Sequence, residues 1–305
     1  AASKATLTLG DVDSALTAIA ETKGAGSVAK RRAQLRDLLG RSTKAGQGLL
    51  IGVLTGGLRQ GATQGVLVHA AALAAKVDHA DLARAHMLSG TVVEPVLAVL
   101  RDGAAGLEAF RLTLFRPIAP MLAQTAESPS DALARLGGSA RLEAKIDGAR
   151  VQVHRDGDRV EVYTRRLHRV THAVPDVVES VRELPAQQLV LDGEVIALDK
   201  NGRPYPFQVT MRRFGRKLDV EAMRSRLPLS VRFFDLLYRD GKEWIDSPLA
   251  RRVEQLTQLV GDARVAATTV HSAAAAETFY RETLEAGHEG VMAKDLDSTY
   301  EAGNR

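Results

Sequence analysis

Lys145 stands in the run Lys145-Ile146-Asp147-Gly148-Ala149-Arg150, where a lysine is followed by an acid, a glycine and then an arginine. A lysine ε-amine is a nucleophile only when neutral, which requires desolvation or nearby positive charge. Arg150 could supply that charge, and its planar fork of donors could also grip a phosphate or a ribose. Glu143 precedes the lysine by two residues and shares its face if the segment is a strand. The same residues also fit a surface strand ending in a turn, with Lys145 and Arg150 solvated.

Four further segments place polar groups where strand propensity alone would not. Leu191-Asp192-Gly193-Glu194 sets two acids around a glycine at an expected strand break, and Phe234-Asp235 follows an apolar strand. Glu289-Gly290-Val291-Met292-Ala293-Lys294 ends an acid, glycine and apolar run with a second lysine, and Thr164-Arg165-Arg166 lies just past a hairpin. The chain has no cysteine, which excludes disulfides, thiolate metal sites and a cysteine nucleophile. Its 8 histidines show no metal-ligand spacing, so His154, His168, His172 and His288 receive no role.

The elements that must position these groups fall into two parts. A length of 305 residues argues for two domains. Residues 1–116 read as helices: Gly65 to Lys76 is alanine-rich at helical spacing, Asp78 and Asp81 suit helix starts, and Ser89-Gly90 marks a stop. Pro117 and Pro120 then force extended backbone before each, as an interdomain link would need. Beyond a short helix over Ser130 to Leu136 the period changes. Val151 to His154 and Val160 to Tyr163 alternate about Asp156-Gly157, a hairpin signal, with further strands at Leu189–Leu198 and Val231–Phe234. Helices are expected over 247–260 and 274–286. The fold class is multidomain: an all-helical domain over 1–116, then an α+β domain with antiparallel sheets over 117–305.

Charge is unevenly distributed. Residues 1–116 carry 14 Lys+Arg against 9 Asp+Glu, whereas the remainder carries 27 against 28. The positive excess therefore sits in the helical part, as expected where that part meets a polyanion, though chance surface composition would also produce it. No apolar run is long enough to cross a bilayer and no secretory signal is visible, so a cytoplasmic protein without a membrane partner is expected.

In order and spacing the five polar segments resemble the nucleotidyltransferase motifs of the ATP-dependent DNA ligases. Gly57-Leu58-Arg59-Gln60-Gly61-Ala62 resembles an element of that family's helical DNA-binding domain. Arg116 to Ala123 resembles its approach to the adenylation domain. The likeness is greatest to the bacterial ligase B type. It implies an ATP-grasp-like nucleotidyltransferase fold for 117–305, and a ligase that seals nicks in duplex DNA during replication, repair or recombination. Members of the family continue into a further lysine motif and an OB-fold domain. Neither lies within these 305 residues, so a ligase truncated before its last motif, with the OB-fold missing, is expected.

The resemblance also implies roles. Lys145 attacks the α-phosphate of ATP to form lysyl-AMP; AMP then passes to the 5′-phosphate of the nick, and the 3′-hydroxyl displaces it. Glu143 accepts a hydrogen bond from the adenine amino group. Arg150 contacts ribose or phosphates, and Arg165 holds phosphate. Glu194 and Glu289 serve Mg2+ and ribose, since magnesium prefers oxygen ligands and keeps several waters. Phe234 stacks on adenine and Met292 closes the opposite face, although both also fit a plain core. Lys294 and Arg305 touch nucleotide phosphate. Lys30, Arg31, Arg32, Lys44 and Arg59 are candidates for backbone phosphate contacts on nicked double-stranded DNA, gripped by a monomer. RNA ligases and GTP-using capping enzymes share the lysyl-nucleotide core, but the helical N-terminal part argues against both. A non-catalytic DNA-binding scaffold is the remaining alternative, and intact Lys145, Glu194 and Glu289 weigh against it.

Overall fold

A computed structural model of the chain describes residues 1–57, 63–199, 202–214 and 220–302. Arg59 with its Leu58-Arg59-Gln60-Gly61 element, and Arg305, lie outside the described residues. The chain divides into two compact units, Ala1–Ala62 and Thr63–Arg305. The first holds α1 (Leu9–Glu21), α2 (Ser27–Arg41) and α3 (Lys44–Thr55). Thr8 and Asp11 close a reciprocal capping box on α1, and Leu38 and Leu50 are the buried side chains of α2 and α3.

The second unit begins with α4 (Gln64–Ala75), α5 (His79–Ser89) and α6 (Val93–Asp102). Small residues let these helices approach, and Val68, Ala71, Ala72, Leu82, Val96 and Val99 form their shared core. Asp78 caps α5, and Gly90, in the left-handed conformation, ends it. The segment expected to link two domains at Arg116 and Pro117 lies inside this unit. Ile118 is fully buried with Met87 and Leu88 of α5, and with Val190, Leu237 and Tyr300 of the β-rich part. Two prolines give extended backbone here, but the apolar residue between them makes it part of the core.

The α+β part follows. It comprises α7 (Pro129–Arg135), β1 (Ala140–Lys145), β2 (Ala149–Asp156), β3 (Arg159–Thr164), α8 (Pro175–Arg182), β4 (Gln188–Ala197), α9 (Phe207–Phe214) and α10 (Val220–Arg226). It continues with β5 (Leu229–Arg239), β6 (Lys242–Glu243), α11 (Leu249–Val260), β7 (Ala267–Val270), α12 (Ala273–Glu285) and β8 (Gly290–Lys294). The strands form two sheets, ordered β7-β1-β8 and β3-β2-β4-β5-β6, and every ladder is antiparallel. The larger sheet packs against α8 and α11 through Val153, Leu191, Val177, Val181, Leu256 and Leu259. The smaller one buries Ala140 and Leu142 against Leu133 of α7 and Ala276 of α12.

The break expected at Leu191-Asp192-Gly193-Glu194 is absent. β4 runs unbroken, and its polar motif is absorbed by register shifts against β5 between Val190 and Leu191 and between Asp192 and Gly193. Phe234-Asp235 likewise lies within β5 rather than beyond a strand end.

Candidate active site

Alternation along β1 separates chemistry from packing. Ala140, Leu142 and Ala144 are buried on one side, which leaves Arg141, Glu143 and Lys145 on the other. Lys145 ends the strand opposite Gly290 of β8, and its carbonyl accepts the backbone N–H of Glu289 at 2.9 Å. That pairing brings the Glu289 carboxylate into an ion pair with the Lys145 ammonium, and both side chains remain open to solvent, at 41% and 52% exposure.

The chain then crosses from one sheet to the other through Ile146, Asp147 and Gly148. A Cβ on Gly148 would lie 2.5 Å from the Val195 carbonyl oxygen and 2.6 Å from Ile196 Cγ2, so only glycine fits. Asp147 accepts the backbone N–H of Phe207, the first residue of α9, at 3.3 Å. The acid and glycine of this run therefore hold the crossover in place, while its lysine and arginine face the chemistry.

Arg150, the second residue of β2, lies opposite Glu194 of β4. Its Nη1 donates to the Met121 carbonyl at 2.7 Å, and its Nη2 to Asp192 Oδ2 at 2.8 Å and to the Tyr300 hydroxyl at 3.4 Å. Burial works against the guanidinium charge, but Asp192, Tyr300 and Glu194 together outweigh it and raise the Arg150 pKa. Asp192 is itself buried and accepts the Tyr300 hydroxyl at 2.6 Å and Gln152 Nε2 at 3.3 Å. Burial, then the Asp192 charge, pushes the Tyr300 hydroxyl well above its ordinary range. The sequence placed Asp192 only at an expected strand break and drew no attention to Tyr300. Together they fix Arg150 Nη2, as the Met121 carbonyl fixes Nη1, and Nε is buried without a hydrogen-bond partner among the described residues.

Glu194, one residue past Gly193, is mostly enclosed. Burial pushes its pKa up to about 8, against the opposing pull of Arg150 and Lys145. Phe234 of β5 lies between two cations: Arg150 Cζ is 5.3 Å and Lys294 Nζ 4.8 Å from its ring centroid. Lys294 Nζ also lies 2.5 Å from Glu143 Oε2, while Arg141 Nε holds Oε1 at 2.8 Å. Met292 of β8 pairs with Glu143 across the ladder. Arg165 is exposed in the turn after β3 and lines a small crevice shared with Arg150 and Asp192.

The structure thus links Glu143, Lys145, Arg150, Glu194, Phe234, Glu289, Met292 and Lys294 through β1, β2, β4, β5 and β8, with Arg165 at the border. Arg141, Arg252 and Tyr300 escaped sequence reasoning. Their signal, a charged or hydroxyl side chain at a core position, shows only once burial is known.

Of the candidates for DNA, Lys30, Arg31 and Arg32 lie on α2 and Lys44 opens α3, all in the first compact unit. Lys30 and Arg32 are exposed. Arg31 is also exposed but is occupied with local structure: Nε and Nη2 both donate to the Thr22 carbonyl that ends α1, at 2.9 and 2.6 Å.

Comparison with known families meets this geometry. A family model described as ATP dependent DNA ligase domain matches residues 120–305, and one described as DNA ligase N terminus matches residues 1–72. The chain belongs to the ATP-dependent DNA ligase family. Its relatives in that family include a "Probable DNA ligase" of Anaeromyxobacter sp. (strain Fw109-5), 50% identical over 300 residues, which cover 98% of this chain and 58% of the relative. Another, from Mycobacterium marinum, is 48% identical over 310 residues, 100% of this chain and 60% of the relative. The chain therefore spans 58–60% of the length of these ligase relatives. Among solved structures it resembles a mycobacterial DNA ligase D complexed with ATP and MES, at 27% identity and a TM-score of 0.47 over 61% of this chain and 57% of that one.

Proposed function

We propose that this chain carries the nucleotide-binding and self-adenylating core of an ATP-dependent DNA ligase that seals nicks in duplex DNA. The observation that carries the reading is Lys145: a solvent-reachable ammonium at a strand end, paired with Glu289 and within the field of Glu194. In the proposed first step neutral Lys145 Nζ attacks the α-phosphorus of ATP, the N–P bond forms, and the bond to the bridging oxygen breaks to release pyrophosphate. The ammonium must first lose a proton, and the Glu289 carboxylate is an acceptor already in contact with it. Glu143 reads the adenine amino group, Phe234 and Met292 flank the base, and Arg165 and Lys294 meet phosphate. With Nη1 bonded to Met121 and Nη2 to Asp192 and Tyr300, Arg150 keeps its Nε–H and one Nη1–H to offer a ribose or phosphate oxygen.

A divalent cation fits this donor set. Glu194 is a mostly enclosed carboxylate for which Arg150 and Lys145 do not restore the ordinary pKa, so the pocket favours added positive charge. Among the described residues no cluster of three or more acidic or histidine side chains forms a complete cation cage. Glu194 and Glu289 would hold Mg2+ together with phosphate oxygens and water, as magnesium prefers, and the ion would neutralise triphosphate charge.

We further assign residues 1–116 to DNA contact, through Lys30 and Arg32, and residues 117–305 to nucleotide handling. The protein acts as a cytoplasmic monomer on nicked duplex DNA, in repair, replication or recombination. No helix among the described residues is long and apolar enough to cross a membrane.

Intact-mass measurement tests the central reading. After incubation with ATP and Mg2+, the protein gains the mass of one AMP on Lys145, and excess pyrophosphate reverses the gain. A protein that never acquires the adduct, or acquires GMP in preference, would overturn it.

A further inference from the structure

The two oxygens of Glu143 are held by cations of different kinds. Glu143 is 2% exposed and Arg141 7%. Arg141 Nε donates to Oε1 at 2.8 Å, and the guanidinium is enclosed along β1. Lys294 Nζ meets Oε2 at 2.5 Å from the end of a flexible four-carbon stem, with its side chain 22% exposed. The same ammonium lies 4.8 Å from the centre of the Phe234 ring. One mobile cation therefore covers both the acceptor and the stacking surface that an adenine base would need. Among the described residues Arg141 Nη2 is buried without a hydrogen-bond partner, which leaves an unused donor on the guanidinium bound to Oε1.

An acceptor and a donor side by side match one edge of adenine, whose amino group donates next to a ring nitrogen that accepts. Guanine offers a carbonyl oxygen at the same place, which a carboxylate repels. We propose that Arg141 and Glu143 form a base-reading pair specific for adenine, and that Lys294 guards the pair, leaving Glu143 Oε2 for the phosphates when a nucleotide enters. The proposal rests on the nucleotide-binding reading above. Arg141 holds Oε1 in both states, so the buried carboxylate always keeps one cationic partner. Oε2 passes from the ammonium to the adenine amino group, and the ammonium passes to phosphate oxygen. Base and phosphate recognition are thereby coupled. Adenosine carries the base but no phosphate, and must displace Lys294 with nothing to receive it.

The test is equilibrium binding of ATP, adenosine and 1-deazaadenosine triphosphate, which lacks the ring nitrogen beside the amino group. It is run in chelator so that no covalent step intervenes, and thermal unfolding confirms that each variant is folded. Lys294→Met is expected to bind adenosine at least fivefold more tightly than the unsubstituted protein, while binding ATP more weakly. Arg141→Met is expected to lose most of the preference for ATP over the triphosphate without the ring nitrogen. Arg141→Lys, which keeps the charge but not the fork, is expected to lose part of that preference and stands in if the methionine variant does not fold. Adenosine binding that is unchanged or weaker in Lys294→Met would overturn the guard. Equal weakening of both triphosphates in the Arg141 variants would overturn the reading pair. Absence of ATP binding by the unsubstituted protein would instead overturn the nucleotide reading, and this proposal with it.

Discussion

Arg252 of α11 closes a two-toothed ion pair on Asp235 of β5, with Nε 2.8 Å from Oδ1 and Nη2 3.1 Å from Oδ2. Its remaining nitrogen, Nη1, donates to the carbonyls of Ser247 and Ser298 at 2.6 and 2.9 Å. Asp235 follows Phe234 at the register shift of β5 against β4, so the clamp fixes the strand that carries the ring. Both partners are buried, and removing one leaves an uncompensated charge. Arg252→Leu should therefore lower stability by about 3–5 kcal/mol. The Arg252→Leu, Asp235→Leu double variant should recover part of that loss. Chemical denaturation measures both, and a single variant as stable as the unsubstituted protein would show that the clamp contributes nothing.

Lys145 offers the opposite case, a residue with chemistry and little structural weight. Its pair with Glu289 is half-exposed, and such pairs contribute about 0–1 kcal/mol. Lys145→Arg keeps the charge, but a guanidinium is not neutral at any accessible pH and cannot attack phosphorus. The variant should unfold with the unsubstituted protein yet gain no AMP by mass. A covalent adduct on Lys145→Arg would place the nucleophile elsewhere.

These two sites also show what sequence could and could not reveal. Lys145, Glu194 and Glu289 were legible because an acid or a lysine beside a glycine is uncommon within a strand, and because several such runs recur in one order. The antiparallel sheet was legible at Asp156-Gly157, where the turn demands glycine chemistry. Arg252 and Tyr300 were not, because each is decided by a partner far away in the chain, Asp235 and Asp192. The burial of Ile118 between Pro117 and Pro120 was not legible for a related reason: proline fixes local backbone but says nothing about what packs on the residue beside it. Within β4, Gly193 suggested a break, whereas it admits the close approach of β5 that a Cβ would meet at 2.9 Å from Phe233 Cδ1.

That steric reading separates the two motif glycines. At Gly148 the obstacle is the Val195 backbone oxygen at 2.5 Å, which cannot rotate away; at Gly193 the closest atom is the edge of a side-chain ring. Overpacking of this kind costs about 1–3 kcal/mol. Gly148→Ala should fall at the upper end and displace the Lys145–Arg150 crossover, so that adenylation falls along with stability. Gly193→Ala should be milder in denaturant unfolding. Equal stability of both variants would contradict the assignment.

His154 predicts a pH dependence. Its Nδ1 accepts the Phe115 backbone N–H at 3.0 Å, which leaves Nε2 to donate to Gln152 Oε1, also at 3.0 Å, and burial lowers its pKa to about 4. The folded protein thus holds this ring neutral where the unfolded chain, with an ordinary value of 6.5, takes up a proton. Stability from this group is complete above pH 6.5 and is lost as pH falls from 6.5 towards 4, at up to about 1.4 kcal/mol per pH unit. Gln152 passes the same network to Asp192 and hence to Arg150, so the loss should loosen the nucleotide site too. His154→Gln should be less stable at neutral pH, with a shallower decline on acidification. Parallel stability curves for the two proteins between pH 7 and 5 would remove His154 from the account.

The α2 cations divide by what they already hold. Arg31 satisfies the carbonyl at the end of α1, whereas Lys30 and Arg32 are exposed with no ion-pair partner among the described residues. A phosphate contact releases counterions, so each one lost should lower the slope of log affinity against log salt by about 0.9. Lys30→Ala and Arg32→Ala should each flatten that slope for nicked duplex DNA and leave the melting temperature unchanged. Arg31→Ala should do the reverse, lowering the melting temperature through the lost cap while leaving the salt slope intact. Titrating nicked DNA at several salt concentrations, alongside thermal unfolding, separates the two behaviours. If Arg31→Ala flattened the slope as much as Arg32→Ala, the Thr22 contact would be incidental and all three cations would face phosphate.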